Sequence, residues 1–155
     1  MPKLSAGLLL YRYKDIELQV LLVHPGGPFW RAKDEGAWSI PKGEYEAGED
    51  PLAAAKREFE EETGTPTPAD AEYIPLTPLK QPSGKIVSAW VVEADLDPST
   101  LRSNTFSIEY PPHSGKARGF PEVDRAQWFS LPEAALRIHP GQRPLLEELT
   151  RLLKP

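Results

Sequence analysis

Residues 43–65 read Gly-Glu-Tyr-Glu-Ala-Gly-Glu-Asp-Pro-Leu-Ala-Ala-Ala-Lys-Arg-Glu-Phe-Glu-Glu-Glu-Thr-Gly-Thr, and they constrain this chain more than any other stretch. Asp50 is a good N-cap, Pro51 is tolerated at the first helical position, and Ala53, Ala54 and Ala55 favour helix. Gly64 is a stop signal, and Pro66 and Pro68 cannot continue the helix. At about 100° per residue, Glu58, Glu61 and Glu62 fall within an arc of roughly 100° on one face. Leu52, Ala55, Phe59 and Thr63 form a separate, adjacent stripe that can face a core, and Glu60 points to the far side. Like charges at this spacing destabilise a bare helix. A divalent cation reverses that penalty, because hard cations such as Mg²⁺ seek carboxylate oxygens. The commoner meaning of a Glu run is a solvated acidic face.

The residues around the helix decide between these readings. Gly43, five residues, Glu49, seven residues, then Arg57-Glu58-Phe59-x-Glu61-Glu62-x-Gly64 resembles the Nudix box, the signature of the Nudix hydrolase family. One position departs: Thr65 stands where the family usually has a large aliphatic residue. The resemblance implies an α/β fold, the Nudix α/β/α sandwich with a mixed β-sheet between helices. It implies Mg²⁺, with Mn²⁺ as a substitute, held by Glu58, Glu61 and Glu62 with the Gly43 carbonyl. It also implies that Arg57 orients Glu49 or one of the helix glutamates, as a bidentate guanidinium can.

Composition fits one domain over residues 1–155 with a real core. There are no cysteines, which excludes disulfides and thiolate metal sites and suits a reducing cytoplasm. The apolar run at the N-terminus is too short for a membrane span and reads as a strand, so no membrane partner is expected. Net charge is −5, with 23 acidic against 18 basic residues, which gives no general attraction for a long nucleic acid. A polyphosphate would be met by metal and local cations, so the expected partner is a small nucleotide.

Periodicity and turn signals order the elements. Leu4–Tyr13 and Ile16–His24 read as a hairpin, and Ala37–Ile40 as a short strand delivering Pro41-Lys42-Gly43. Phe29–Glu35 reads as loop. Lys85–Leu96 is the clearest later strand, and Ala126–Phe129 is another. Ser103–Gly119 is polar and aperiodic, a loop with room for one short strand. Leu131–Ile138 and Gln142–Leu153 read as helices.

Outside the helix the candidates are sparser. Trp38-Ser39-Ile40-Pro41-Lys42-Gly43 resembles a segment of the diadenosine polyphosphate hydrolase group within the same family, where a lysine matching Lys42 can reach a phosphate as a point charge. Ser5-Ala6-Gly7 resembles the first strand of that group, which lines the substrate cleft. Glu122 stands six before Trp128, a spacing also found there, and is a candidate general base beside Glu61 and Glu62; an ordinary loop carboxylate is the alternative. Trp30, Phe106, Tyr110 and Phe120 are candidate stacking rings, though each serves equally as a core or lid aromatic. His113, Lys116 and Arg118 mark a loop that could close over phosphates, and Lys80 and Lys85 flank a turn.

The resemblance implies a Mg²⁺-dependent pyrophosphohydrolase, with a dinucleoside polyphosphate as leading substrate. Nucleoside triphosphates, nucleotide sugars and capped RNA are the alternatives, and a catalytically silent nucleotide-binding module is the rival outside enzymes.

Overall fold

A computed structural model describes residues 3–153. In chain order the elements are β1 (Leu4–Lys14), β2 (Glu17–Pro25), β3 (Lys42–Tyr45), α1 (Pro51–Thr63), β4 (Ile74–Pro75), β5 (Leu79–Lys80), β6 (Ile86–Glu93), β7 (Thr105–Glu109), β8 (Ala117–Pro121), β9 (Val123–Ser130), α2 (Leu131–Arg137) and α3 (Arg143–Leu153).

β1 explains the architecture. Its central residues, Ala6–Tyr11, are buried on both faces. A strand apolar on both faces belongs in the middle of a covered sheet. It pairs in parallel with β6 over Leu4–Tyr11 and antiparallel with β2, so the sheet is mixed, in the order β4-β6-β1-β2-β9. Alternation then splits the core in two. Ala6, Leu8 and Leu10 pack under Ala55 and Phe59 of α1. Leu9 and Tyr11 pack on the opposite face against Ala134 of α2 and Leu145 and Leu149 of α3. The result is the expected α/β/α sandwich. Phe59 is fully buried, and truncating such a ring to alanine costs about 3–5 kcal/mol.

β1 and β2 stay paired only from Tyr11↔Val20 to the turn at Lys14↔Glu17. Toward the other end they part, and residues 38–45 fill the gap. Val23 and Ser39 exchange both backbone hydrogen bonds, at 2.8 and 2.9 Å, while Leu8 N–H donates to the Pro41 carbonyl. A side chain at Gly7 would meet Pro41, Lys42 and Ile40, so the glycine permits this approach. This splay creates the cleft described below.

The structure corrects the sequence reading in two places and adds to it in a third. The short strand is not Ala37–Ile40, which makes only isolated bridges, but β3, which begins at Lys42 and pairs Gly43 with Ala6. Pro41 lacks an N–H, so regular pairing starts after it. Ser103–Gly119 holds not one short strand but two, β7 and most of β8, which form a separate two-stranded sheet. Residues 74–80 add two edge strands, each only two residues long.

Candidate active site

α1 forms where the sequence places it. Asp50 accepts from the Ala53 N–H at 2.9 Å, and Gly64 ends the helix in the left-handed region, φ 72°. Ala54, Ala55, Phe59 and Thr63 are its buried face. Glu58, Glu61 and Glu62 are half-buried on the neighbouring face, and Glu60 is exposed, accepting from Thr67. Thr65, the one departure from the motif, is half-buried, and its N–H donates to the Thr63 hydroxyl at 3.2 Å.

Each glutamate has its own setting. Glu58 lies against Gly43, where a Cβ would occupy the space its carboxyl takes. Burial, then a hydrogen bond and charge from Glu61, push Glu58 up to about 7, although Arg57 opposes this. Glu62 is pushed up to about 8, chiefly by burial, while the Lys42 backbone N–H at 3.3 Å acts the other way. Arg57 bonds Glu49 and lies 3.7 Å from Glu58 and 3.9 Å from Glu61. It thus positions all three carboxylates, more than either single partner expected from the sequence.

Glu122 reaches this face although it lies 60 residues after Glu62. The last carbonyls of a helix lack helical partners. Here the Asn104 N–H donates to the Glu61 carbonyl and the Arg102 N–H to the Thr63 carbonyl, both at 2.9 Å. Glu122 N–H donates to Asn104, and Glu122 accepts from Gly26. The segment 102–104 therefore ties the end of α1 to Glu122. Burial, then the charge of Glu61, raises the Glu122 carboxyl. Trp128, six residues on, is buried and donates to the Leu96 carbonyl at 3.0 Å, so it anchors β9 and does not face the cleft.

Lys42, Glu62 and Glu122 line one cleft of about 210 Å³ with Ser39 and Ile40. Burial, then nearby Lys85, lowers the Lys42 ammonium from its usual value. A phosphate would reverse both effects. Lys85 itself lies 3.7 Å from Glu44, whereas Lys80 is exposed on an edge strand. Ser5 is fully buried, pairs with Glu44 two positions along β3 from Lys42, and its hydroxyl has no hydrogen-bond partner among the described residues. A larger cleft of about 680 Å³ opens on the other flank, between Lys3, Tyr45 and Arg57.

Among the described residues, no three acidic or histidine side chains form a preassembled metal cage. The donor set nonetheless fits a hard divalent cation. Its oxygens are clustered, burial and then neighbouring carboxylates raise their proton affinity, and the space at Gly43 is taken by a carboxylate.

The aromatic candidates sort differently. Phe120 is buried and packs at 6.2 Å from Phe106, which in turn covers Gly27. Lys33 covers Trp30 at 5.0 Å. Phe29, absent from the sequence candidates, is 60% exposed and meets Tyr110 edge-to-face. His113 sits at the exposed tip of the β7–β8 hairpin. His24 was also missed: fully buried, it contacts Asp124 at 2.8 Å and the Lys33 carbonyl at 2.6 Å. No local motif marks it, because its partners are 9 and 100 residues away.

Comparison with known proteins supplies independent findings. The NUDIX domain family model matches residues 1–149. An octanoyltransferase from Myxococcus xanthus is 30% identical over 138 residues, 88% of this chain and 33% of that protein. An RNA pyrophosphohydrolase from Rhodospirillum rubrum is 42% identical over 67 residues, 41% of this chain and 39% of that protein. The matches thus span between a third and two fifths of the length of these curated relatives. Among solved structures, a C. elegans Ap4A hydrolase binary complex aligns with TM-score 0.67 and 22% identity, covering 96% of this chain and 97% of that one. The NUDIX domain of Shewanella oneidensis NrtR with ADP ribose aligns with TM-score 0.64 and 18% identity, covering 99% and 90%. At these identities the structures speak for the fold.

Proposed function

This chain belongs to the NUDIX domain family, and from that premise we propose that its 155 residues act as one Mg²⁺-dependent pyrophosphohydrolase domain, with Mn²⁺ as a substitute. The reaction is water attack on a phosphoric anhydride in a nucleoside diphosphate linked to another group. A dinucleoside polyphosphate is the leading substrate. The observation that carries this reading is the convergence of Glu58, Glu61 and Glu62 with Glu122 beside the Lys42 cleft.

Glu58, Glu61, Glu62 and the Gly43 carbonyl would hold the ion, which when bound neutralises phosphate charge and acidifies water. Arg57 fixes the carboxylates, and Lys42 meets a phosphate oxygen. Glu122, whose carboxyl is raised from its ordinary value by burial and then by the charge of Glu61, lines the same cleft as Lys42 and Glu62 and is placed to accept a proton from water. Glu61 and Glu62 are the alternative bases. Ser5 lies too deep to touch substrate in this conformation, so its proposed role is to shape the wall behind Lys42. A small nucleotide in a cytoplasmic setting remains the proposed context, and among the described residues no helix is long and apolar enough to cross a membrane.

One observation favours a second reading. The 42% match to an RNA pyrophosphohydrolase supports a triphosphorylated or capped RNA 5′ end as substrate. A panel of dinucleoside polyphosphates, nucleoside triphosphates, nucleotide sugars and 5′-triphosphate RNA, with and without Mg²⁺, separates the two. Glu61→Gln is expected to lose at least a hundredfold in kcat with an unchanged circular dichroism spectrum, a loss on the scale typical of a disrupted acid–base or charge-stabilising group. No metal-dependent turnover on any substrate would leave a silent nucleotide-binding module.

A further inference from the structure

The β7–β8 hairpin is unexplained by the chemistry above. It pairs with no strand of the main sheet, yet Glu122 follows it directly. Phe106, Ile108 and Tyr110 alternate onto one face with Arg118 and Phe120, as the pairs Phe106↔Phe120 and Ile108↔Arg118 require. That face packs on the loop after β2: Phe106 covers Gly27, and Phe29 stands edge-on to Tyr110 with centroids 6.3 Å apart. Phe106 and Phe120 are used up in this packing, whereas Phe29 keeps 60% of its surface in water.

Charge is the second observation. The chain carries −5 overall, but segments 29–33 and 105–121 hold Arg31, Lys33, Lys116 and Arg118 against a single carboxylate, Glu109, which is bonded to the His113 N–H. All four cations are exposed. Arg118 lies 5.9 Å from the Tyr110 ring centroid and 5.4 Å from that of Phe120. An exposed ring backed by aromatics and rimmed by arginine is suited to a base attached to phosphates.

Length is the third. Phe29 lies three residues past Gly26, whose N–H donates to the Glu122 carbonyl, so its backbone stands up to about 11 Å from that anchor. A phosphate chain bearing a nucleoside covers that distance, and a free phosphate does not. The geometry points to Phe29, supported by Tyr110 and Arg118, as the stacking site for the second base of a two-base substrate, the one remote from the Lys42 cleft. This rests on the pyrophosphohydrolase reading and adds to it the part of the molecule that counts bases.

The test compares diadenosine tetraphosphate with adenosine tetraphosphate, which lacks the second base. Binding is titrated on the Glu122→Gln background to slow turnover, and steady-state kinetics are run on the otherwise wild-type chain. Phe29→Ala is expected to weaken binding of the two-base ligand about tenfold, to raise its KM to match at unchanged kcat, and to leave the one-base ligand unaffected. Phe29→Trp is expected to restore binding, and Arg118→Ala to reproduce part of the loss. Equal loss for both ligands, no loss for either, or an unsubstituted Phe29 chain that binds the two alike overturns the inference. Absent metal-dependent turnover with base-selective binding intact would instead overturn the hydrolase reading alone.

Discussion

A methyl group at position 43 would overlap the Glu58 carboxylate. The constraint is therefore spatial: the backbone of β3 and the side chain of α1 share a space too small for a Cβ. In Gly43→Ala, either Glu58 turns away or β3 retreats from the helix. Glu58 is held by Glu61 and by Arg57, so its displacement disturbs the whole carboxylate face. A shift of about 1 Å in such a group costs roughly a hundredfold in rate. Gly43→Ala is expected to lose that much in kcat and to require more Mg²⁺ for half-maximal activity. Full activity at the wild-type Mg²⁺ requirement would remove Glu58 from the metal face. Gly43 was legible in the sequence as part of the box, but its reason was not. The sequence suggested close approach to an ion, and the structure adds close approach to a carboxylate.

The two ends of α1 differ in what depends on them. Asp50 caps an exposed N-terminus, and its side chain accepts from the Ala53 N–H of its own helix. Asp50→Ala is expected to cost about 1 kcal/mol, or roughly 2–4 °C in Tm for a domain of this size, with kcat unchanged. Gly64 is different, because a side chain there would press into Arg102 at 2.7–2.8 Å, and its φ of 72° disfavours any Cβ. Arg102 belongs to the segment that joins α1 to Glu122. Gly64→Ala is therefore expected to lower both Tm and kcat, and thermal melts with initial rates on the same preparations distinguish the pair. If Gly64→Ala behaves like Asp50→Ala, the link from α1 to Glu122 carries no function. Elements of this kind mark the limit of legibility. α1 was readable because cap, stripe and stop lie within fifteen residues. The hairpin was not, because Ser103–Gly119 alternates only weakly and its stabilising partners, Gly27 and Phe29, precede it by some eighty residues. β3 was shifted because Trp38 and Ile40 look like strand residues, but they are buried as packing on α2 and α3, not as ladder. Glu122 could be named from its spacing to Trp128, while its route to the helix, through Asn104, could not.

For the molecule as a whole, the carboxylate face is a liability that the rest of the fold supports. Glu58 and Glu62 sit at about 7 and about 8, above their ordinary value of 4.5. A carboxyl raised in the folded state binds its proton more tightly there than in the unfolded chain, so its burial costs nothing below about pH 4.5, where both states are protonated. Above that the unfolded chain ionises first, the folded state falls behind, and the loss continues until the pH passes 7 to 8. Glu122 shifts in the same direction and adds to the trend. Chelated protein is therefore expected to lose Tm steadily from pH 5 to pH 8.5. Mg²⁺ binds the deprotonated folded form, so it should raise Tm most at the upper end of that range, by mass action. Glu62→Gln mimics the protonated side chain; its chelated Tm should exceed wild type at pH 8 and match it near pH 5, with the Mg²⁺ response reduced. Calorimetry across this pH series, with EDTA and with Mg²⁺, reads all three effects. If Glu62→Gln keeps the wild-type slope, the pH sensitivity arises elsewhere, and the buried acidic face is not what the sandwich is strained to hold.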